Sequence, residues 1–389
     1  MNKTLIIPLL LTTFCLYSCD KSPDTASSAG ESRNEANRYS LSDLIDMARV
    51  EGKTHEPLDA LCPRINPHGV LVSDITVGLV SDVGSIDDGT FNQAAFSGMQ
   101  AAGRCFGVAT TFLESAGDDS AAQIQSLINR KVDIIVAVGF QFQEALEDAA
   151  AAQQRTKFIG VDQVNRNVLD NFVAISFRDD QVGFIAGAMA SLLTQTGTVA
   201  VIAGPDSIPP VVAIADGFEA GARHVLPQIN VLRRHFNSFN DPQSGVRQAQ
   251  LFVNEGADVV FGAAGATGTG ATLAAAANNA YVIGVDQDEY YTTFKGGTAI
   301  GANRLATSAI KRVDLSVFLT IAAMAQGALE GGDLEMSVSN GGVSYAPFHK
   351  ADIPDGVETK INNLLSKLAR GEIDISPPSS NSIQQSSYD

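Results

Sequence analysis

Short apolar runs alternate with segments of helical periodicity along the middle of the chain. The apolar runs predict strands at residues 76–80, 108–113, 133–138, 158–161 and 172–176. The segments between them predict helices at residues 92–105, 121–130 and 143–153. Continuous apolar runs are typical of strands buried on both faces, and the connections here are short. The pattern therefore predicts a parallel sheet built from right-handed β-α-β units.

The alternation then restarts. Strands are expected at residues 198–202, 230–234, 258–262 and 281–285, with helices at 211–226, 242–254 and 267–278. Residues 159–163 and 283–287 both read Ile-Gly-Val-Asp-Gln. This duplication predicts an α/β fold with two doubly wound parallel-sheet lobes joined by a hinge. Beyond it we expect a strand at 299–302, a long helix at 305–328 returning to the first lobe, and a last helix at 357–370.

The pattern divides the chain into six parts. They are a lipoprotein signal peptide (1–18), a flexible tether (19–40), an N-terminal extension (41–73), a first lobe (74–177 plus 303–336), a second lobe (178–302 plus 337–375) and a disordered tail (376–389). Tether and tail are rich in small and polar residues, and such segments bury too little surface to fold alone.

The first residues have the features of a targeting segment. Lys3 precedes an apolar stretch at residues 5–14, which is too short to span a bilayer as a mature helix. Residues 16–19 read Leu-Tyr-Ser-Cys and resemble a bacterial lipobox, in which Cys19 becomes the lipidated first residue of the mature protein. The alternative is an ordinary secreted protein that is cut nearby. The lipobox predicts a protein anchored to the cell membrane on its extracytoplasmic side.

The extension carries a helical pattern at Leu41, Leu44, Ile45 and Ala48, and prolines interrupt the rest of it. Two cysteines follow the lipobox, Cys62 in the extension and Cys105 at the end of the first helix of the body. In an oxidising compartment they could pair and staple the extension to the body. Two buried thiols are the alternative.

The charge of the chain bears on its partners. The formal charge is −17, and removing residues 1–18 takes away one lysine and makes it −18. Such acidity argues against nucleic acid as a partner and against electrostatic binding to anionic membranes. Apolar runs at 182–193 and 313–325 are shorter than a membrane span and fit buried core helices.

The most informative segment is residues 77–92, VGLVSDVGSIDDGTFN. It is an apolar strand followed by an acidic, glycine-containing turn and the start of a helix, with Asp82, Phe91 and Asn92 at the strand's carboxyl end. Open α/β sheets bind ligands at this edge. The segment resembles the signature D-V-G-x-x-x-D-x-S-F-N-Q of the basic membrane protein family, with Thr90 in place of the serine. That family comprises nucleoside-binding lipoproteins, purine nucleoside receptors among them, that serve ABC importers.

The resemblance implies a type I periplasmic binding-protein fold with one crevice between the lobes. Asp162 and Asp286 end equivalent strands and would face each other there, accepting hydrogen bonds from a ribose diol. A single aspartate at such a place is usually a turn former or helix cap. Phe239, just before Asp241-Pro242, matches the family's stacking aromatic and would sandwich a planar ring with Phe91.

Two further segments match the family. Residues 261–270 form a glycine-rich strand-to-helix turn in which Gly265 would lie against the sugar. The turn lacks the spacing of a P-loop or of a dinucleotide fingerprint. Residues 307–311 match the family's T-S-x-x-K segment. Lys311, placed on the expected helix at 305–328, would reach the crevice and counter its acids. A net acidic site with one lysine favours a nucleoside over a nucleotide.

The sequence therefore predicts a lipid-anchored solute receptor for a nucleoside, with a purine as the favoured base and ABC permease subunits as partners. We expect a monomer with no cofactor and no metal. A sensor or surface antigen of the same fold without transport is one alternative. A nucleoside hydrolase is another, but the sequence has no nucleophile elbow, H-E-x-x-H motif or Cys/His cluster.

Overall fold

The computed structural model describes residues 39–49, 56–115, 119–329 and 331–375. The predicted signal peptide, the lipidation site Cys19, almost all of the tether and the C-terminal tail lie outside these residues. The first half of the described chain contains α1 (Leu41–Ala48), α2 (Leu58–Ile65), β1 (Thr76–Val83), α3 (Phe91–Phe106), β2 (Ala109–Ser115), α4 (Ser120–Asn129), β3 (Ile134–Val138), α5 (Gln143–Ala152), β4 (Lys157–Val161) and β5 (Phe172–Phe177).

The second half of the described chain continues the alternation. It contains α6 (Asp179–Leu193), β6 (Thr198–Ala203), α7 (Pro209–Val225), β7 (Asn230–His235), α8 (Pro242–Asn254), β8 (Val259–Ala263), α9 (Gly265–Ala277), β9 (Tyr281–Asp286), β10 (Leu305–Lys311), α10 (Val313–Ala325), β11 (Gly332–Met336), β12 (Val343–Tyr345) and α11 (Val357–Ala369).

The strands form two six-stranded sheets with closely similar orders. The first sheet has the order β11-β5-β4-β3-β1-β2, and the second has the order β12-β10-β9-β8-β6-β7. Every pairing is parallel except that of β10 with β12. Each sheet with the helices packed on it forms one lobe. The predicted α/β fold of two doubly wound parallel-sheet lobes is confirmed.

The composition of the strands follows from burial on both faces. In β1, Val77 and Leu79 join the core on one face of the first sheet, and Val80 joins the core on the other. Apolar residues are therefore needed at successive positions rather than at alternate ones, which is why these strands read as continuous apolar runs.

One predicted segment is wrong. The expected strand at 299–302 and long helix at 305–328 are replaced by a short 3-10 turn, the strand β10 and the shorter helix α10. All seven residues of β10 are buried, and Leu305 to Ile310 pair with β9. Periodicity cannot distinguish a short, fully buried strand from the start of a buried helix. As a result Lys311 ends a strand of the second sheet, and the chain passes to the first lobe after it.

The N-terminal extension packs on the first lobe. Its helix α1 contacts α10, and α2 contacts α3, so that Leu44, Leu61 and Ile65 join the core of that lobe. Cys62 of α2 and Cys105 of α3 form a disulfide with their Cα atoms 5.7 Å apart. The helix α2 includes Pro63, at a place where the prolines predicted irregular structure. None of the helices described is both long enough and apolar enough to cross a membrane.

Candidate functional site

A cavity of about 400 Å³ lies where the carboxyl ends of the strands of both lobes meet. Every residue that the sequence predicts as a ligand contact lines it: Asp82, Phe91, Asn92 and Asp162 from the first lobe, and Phe239, Gly265, Asp286 and Lys311 from the second. Five aspartates line the cavity, and Lys311 is the one basic residue among the described residues that do so.

Asp88 organises the corner of the cavity between β1 and α3. Its carboxylate accepts hydrogen bonds from the backbone N–H groups of Thr90 at 2.8 Å, Asn92 at 3.0 Å and Gln93 at 3.2 Å. These groups are donors that the first turn of a helix leaves unpaired. The Asn92 side chain accepts the backbone N–H of Asp82 through Oδ1 at 2.8 Å. Its amide nitrogen Nδ2 is then the polar end that can donate to a ligand.

Asp82 packs against Gly139, where any side chain would collide with its carboxylate. Gly139 has a φ of 103°, and a Cβ atom there would lie 2.3 Å from Asp82 Oδ2. Glycine is therefore required at this position for backbone conformation and for space. Burial raises the pKa of Asp82 to about 7, although the Val83 N–H donates to its Oδ1 at 2.5 Å and Gln141 also donates to it. Near neutral pH this carboxyl group can therefore accept or donate a hydrogen bond.

Asp162 and Asp286 occupy equivalent points of the two lobes, each directly at the end of a parallel strand. Both have a left-handed backbone, with φ of 58° and 65°. Aspartate tolerates this conformation better than most residues, because its short side chain makes local hydrogen bonds. The duplicated sequence therefore produces a duplicated local backbone that turns each carboxylate toward the cavity.

Lys311 is almost fully buried, with 2% of its side chain exposed. Its Nζ donates to Asp162 Oδ2 at 2.7 Å and to Asp179 Oδ1 at 2.8 Å. It also lies 5.1 Å from the ring centroid of Phe91 and 4.8 Å from that of Phe177, within cation–π range. Burial alone would lower the pKa of Lys311, but the neighbouring carboxylates of Asp162, Asp179 and Asp286 raise it. The ammonium therefore stays charged.

The Phe239 ring, on the second-lobe side of the cavity, packs directly against Gly204. A Cβ atom at Gly204 would lie 2.3 Å from Phe239 Cε1, so the ring covers a position that must lack a side chain. The Phe239 carbonyl accepts the Thr267 N–H at 3.0 Å, which fixes the backbone beneath the ring. Gly265 has a φ of 54°, and a Cβ there would lie 3.1 Å from Phe239 O. Both glycines thus fix where the Phe239 ring lies.

The acids around Asp286 are deeply buried. Burial raises the pKa of Asp286 to about 7; Lys311 opposes this rise, while Asp88, Asp162 and Glu289 add to it. Glu289 lies behind the cavity and accepts the Val285 N–H through Oε1 at 2.9 Å. Burial raises the pKa of Glu289 to about 7 as well. Near neutral pH this end of the site therefore carries less negative charge than its composition implies.

Two hydrogen bonds close the cavity on the side of the β1–α3 turn. Gln287 Nε2 donates to the Thr90 carbonyl at 2.8 Å, and Thr292 Oγ1 donates to the Gly89 carbonyl at 2.9 Å. Each bond joins one lobe to the other. Together with the Lys311–Asp162 ion pair, they link the two lobes across the cavity.

Sequence reasoning missed several residues of this site. Asp179, the second partner of Lys311, opens α6 directly after β5, and an acid at that place reads as an ordinary helix start. The sequence around Gly204 does not indicate that glycine is required there, because the requirement comes from the Phe239 ring that packs on it. Thr269 lines the cavity, and among the described residues none makes a hydrogen bond with its buried Oγ1. Gln287 could have been found, since it belongs to the repeated Gly-Val-Asp-Gln.

Comparison with known proteins gives consistent results. Residues 75–375 match the family model Bmp, described as ABC transporter substrate-binding protein PnrA-like. The chain is 28% identical over 322 residues to the ABC transporter nucleoside-binding protein BmpA of Lactococcus lactis, covering 79% of this chain and 88% of that protein. It is 29% identical over 325 residues to a CD4+ T-cell-stimulating antigen of Listeria innocua, covering 78% and 88%.

Among solved structures, an ABC transporter solute-binding protein from Aeropyrum pernix K1 matches with a TM-score of 0.68 and 24% identity. The match covers 79% of this chain and 95% of that one, and it shows the same two-lobed fold. The family model covers most of the described chain, including every residue that lines the cavity. The chain therefore belongs to the Bmp family of PnrA-like ABC transporter substrate-binding proteins.

Proposed function

We propose that this protein is a lipid-anchored extracytoplasmic receptor that captures a purine nucleoside between its two lobes and delivers it to an ABC importer. The observation that carries the proposal is the convergence of eight residues, chosen from scattered sequence motifs, on one cavity of about 400 Å³. Small-molecule sites usually have volumes of roughly 300–1,000 Å³, so a nucleoside is of suitable size.

The base would lie between the aromatic rings of the two lobes. Phe91 and Phe239 both line the cavity and come from opposite lobes. Stacking on an aromatic ring contributes about 1–3 kcal/mol per base and tolerates different bases. Asp82 and the Asn92 amide nitrogen lie in the same cavity and can read the polar edge of a base. A purine offers more stacking area than a pyrimidine, which favours a purine in this pair.

The sugar would lie against Asp162, Asp286 and Lys311. Asp162 Oδ2 is held by Lys311, but none of the described residues donates to its buried Oδ1. A buried carboxylate oxygen without a donor is costly, and a sugar hydroxyl would satisfy it. Lys311 is occupied by Asp162 and Asp179, so it does not supply the free positive charge that a phosphate needs. A neutral nucleoside therefore fits this site better than a nucleotide.

Anchoring and delivery rest on the sequence and on the family. The lipobox ending at Cys19 supports attachment to the extracytoplasmic face of the membrane. The Lactococcus lactis relative is named as a nucleoside-binding protein of an ABC transporter, which supports both the ligand and the permease partner. Hinge motion between two lobes is the usual means by which such a fold encloses a ligand. We propose that the receptor acts as a monomer without cofactor or metal.

The binding test is calorimetry of the wild-type protein with guanosine, inosine, adenosine and free ribose. We expect the purine nucleosides to bind and ribose alone to bind more weakly, because it cannot stack. Asp286→Ala and Phe239→Ala should each weaken binding by about 1.5–3 kcal/mol. Matched controls are Asp355→Ala and Phe112→Ala, both at exposed positions outside the cavity. Wild-type affinity in both site variants would refute the site.

Two further measurements separate this receptor from its alternatives. A nucleoside hydrolase would release free base over many turnovers when nucleoside is in excess, whereas a receptor would release none. A sensor or surface antigen, as the name of the Listeria innocua relative suggests for that protein, would bind the nucleoside without supporting uptake. Nucleoside uptake by intact cells should fall in a Cys19→Ala strain if anchoring and delivery are both correct.

A further inference from the structure

A second cavity of about 300 Å³ lies next to the first, on the side of the β5–α6 connection. We call it the side chamber and define it by Phe140, Asp162, Phe177, Asp179, Pro210 and Ala213. Phe140, Asp162 and Pro210 line both cavities. The side chamber thus adjoins the end of the site where Asp162 would meet the sugar.

The walls of the side chamber are mostly apolar. Phe140 and Val164 leave 38% and 48% of their surface exposed, which is high for large apolar residues. Gln143 bonds both backbone polar groups of Val164, at 2.7 and 2.8 Å, and so fixes that part of the wall. The opposite wall is the first turns of α7, including Pro210 and Ala213. A fixed, partly exposed apolar surface beside a ligand site is suited to an apolar part of that ligand.

The charges of the side chamber exclude an anion. Three aspartates line it, and none of the described residues that do so is basic. Asp162 and Asp179 are already paired with Lys311, while Asp180 pairs with Arg178 at 2.7 and 2.9 Å. A phosphate entering here would meet these carboxylates with no free cation to pair with it, and such a juxtaposition of like charges is unfavourable.

We infer that the side chamber is a subsite for an uncharged, apolar substituent on the 5′ carbon of the bound nucleoside, so that the protein also takes 5′-modified nucleosides such as 5′-thioethers. This rests on the proposed function. The 5′ carbon is the flexible exocyclic arm of ribose, and it can carry a substituent past Asp162 without displacing the vicinal hydroxyls. The receptor then distinguishes nucleosides by the charge at their 5′ end, accepting a thioether and rejecting a phosphate.

The test compares matched ligands by calorimetry on the full mature protein. The probes are adenosine, 5′-deoxy-5′-methylthioadenosine and adenosine 5′-monophosphate, together with inosine and its 5′-methylthio derivative in case the site prefers a 6-oxopurine. Wild-type protein should bind the methylthio derivative within about tenfold of its parent or more tightly. It should bind the monophosphate about a hundredfold more weakly, or not at all.

Ala213→Phe fills the side chamber from a helical position outside the main cavity. It should lower the affinity for the methylthio derivative by about tenfold or more while changing that for the parent nucleoside by less than about threefold. Ala213→Ser, which leaves the space open, is the matched control and should behave as wild type.

Each outcome decides the inference. Rejection of every methylthio derivative by wild-type protein that binds the parent nucleoside would overturn the subsite and leave the proposed function standing. Equal losses for parent and derivative in Ala213→Phe would overturn it too, because the side chamber would then only affect closure. If neither ligand binds wild-type protein, the proposed function fails and the subsite falls with it.

Discussion

Asp162 and Asp286 are the clearest pair of equivalent residues in the two lobes, and they share sequence, backbone and cavity but differ in their neighbours. Each lies in the same five-residue stretch, at the end of a parallel strand, with a left-handed φ. Asp162 is bound to the buried Lys311 at 2.7 Å. Burial instead raises the pKa of Asp286 to about 7, with further acids nearby.

The following glutamines differ in the same way. Gln163 turns into its own lobe and donates to the Gly139 carbonyl at 2.9 Å. Gln287 reaches out of its lobe and donates to the Thr90 carbonyl of the other one. Duplication therefore reproduced the local backbone, and the surroundings gave each copy its role. The first copy pairs its aspartate with Lys311 of the opposite lobe, and the second reaches the opposite lobe through its glutamine.

The largest effect is expected from removing the residue that makes Asp162 different. Lys311→Met should lower the free energy of unfolding by about 3–5 kcal/mol at pH 8, because it leaves Asp162 and Asp179 buried without their counter-ion. The loss should be smaller at pH 5, because burial raises the pKa of Asp179 to about 8 and this carboxyl group is then protonated. Urea denaturation at the two pH values measures this.

Lys350→Met is the matched control, since Lys350 is exposed and its Nζ donates to the Gly297 carbonyl. It should change stability little at either pH. An equal, pH-independent loss in Lys311→Met and Lys350→Met would show that the buried charge cluster does not distinguish the two lobes.

The ionic cluster also shows where sequence reasoning ended. The duplicated strands and their terminal aspartates were predictable, because apolar periodicity and the repeated Gly-Val-Asp-Gln are local signals. Lys311 was expected on a helix and lies at the end of β10. Its partner Asp179 comes from the start of α6, far away in sequence, and only the packing of three separate segments brings these groups together.

The aromatic residues of the site were likewise predictable from local sequence, whereas the residues that support them were not. Phe91 and Phe239 could be predicted from their motifs, since each lies beside a recognisable turn. The need for glycine at positions 204 and 139 could not be predicted from local sequence. Each glycine is required by a side chain from a distant segment that packs against it. Local sequence predicts which residues reach the strand ends, while their mutual supports depend on tertiary contacts.

A smaller effect is expected in the pH dependence of stability, which should differ between the variants Asp286→Asn and Asp162→Asn. The pKa of Asp286 is raised from 3.8 to about 7, so its contribution to stability is fully present below about pH 4 and is lost as the pH rises through 7. Asp286→Asn abolishes this loss, and asparagine tolerates the left-handed φ. Between pH 5 and pH 8 its stability should therefore improve relative to wild type by about 1–3 kcal/mol.

Asp162→Asn is the matched variant with which Asp286→Asn is compared. It removes one of the two carboxylates that bind Lys311, so it should lower stability by about 1–3 kcal/mol at both pH values. Thermal or urea unfolding of the three proteins measures both differences. If the two asparagine variants show the same pH dependence, the lobes do not differ in the electrostatic role that the structure gives them.

The smallest effect is expected from the two glutamines, and it separates stability from closure. Gln287→Ala removes a bond between the lobes, so it should weaken ligand binding by about 0.5–1.5 kcal/mol and leave unfolding nearly unchanged. Gln163→Ala removes the shorter of two hydrogen bonds to the Gly139 carbonyl, which the Phe142 N–H also reaches at 3.3 Å, so it should lower stability by about 0.5–1.5 kcal/mol. Calorimetry and urea unfolding of both variants give the two readouts. Loss of stability without loss of affinity in Gln287→Ala would mean that this bond supports its own loop and does not hold the lobes together.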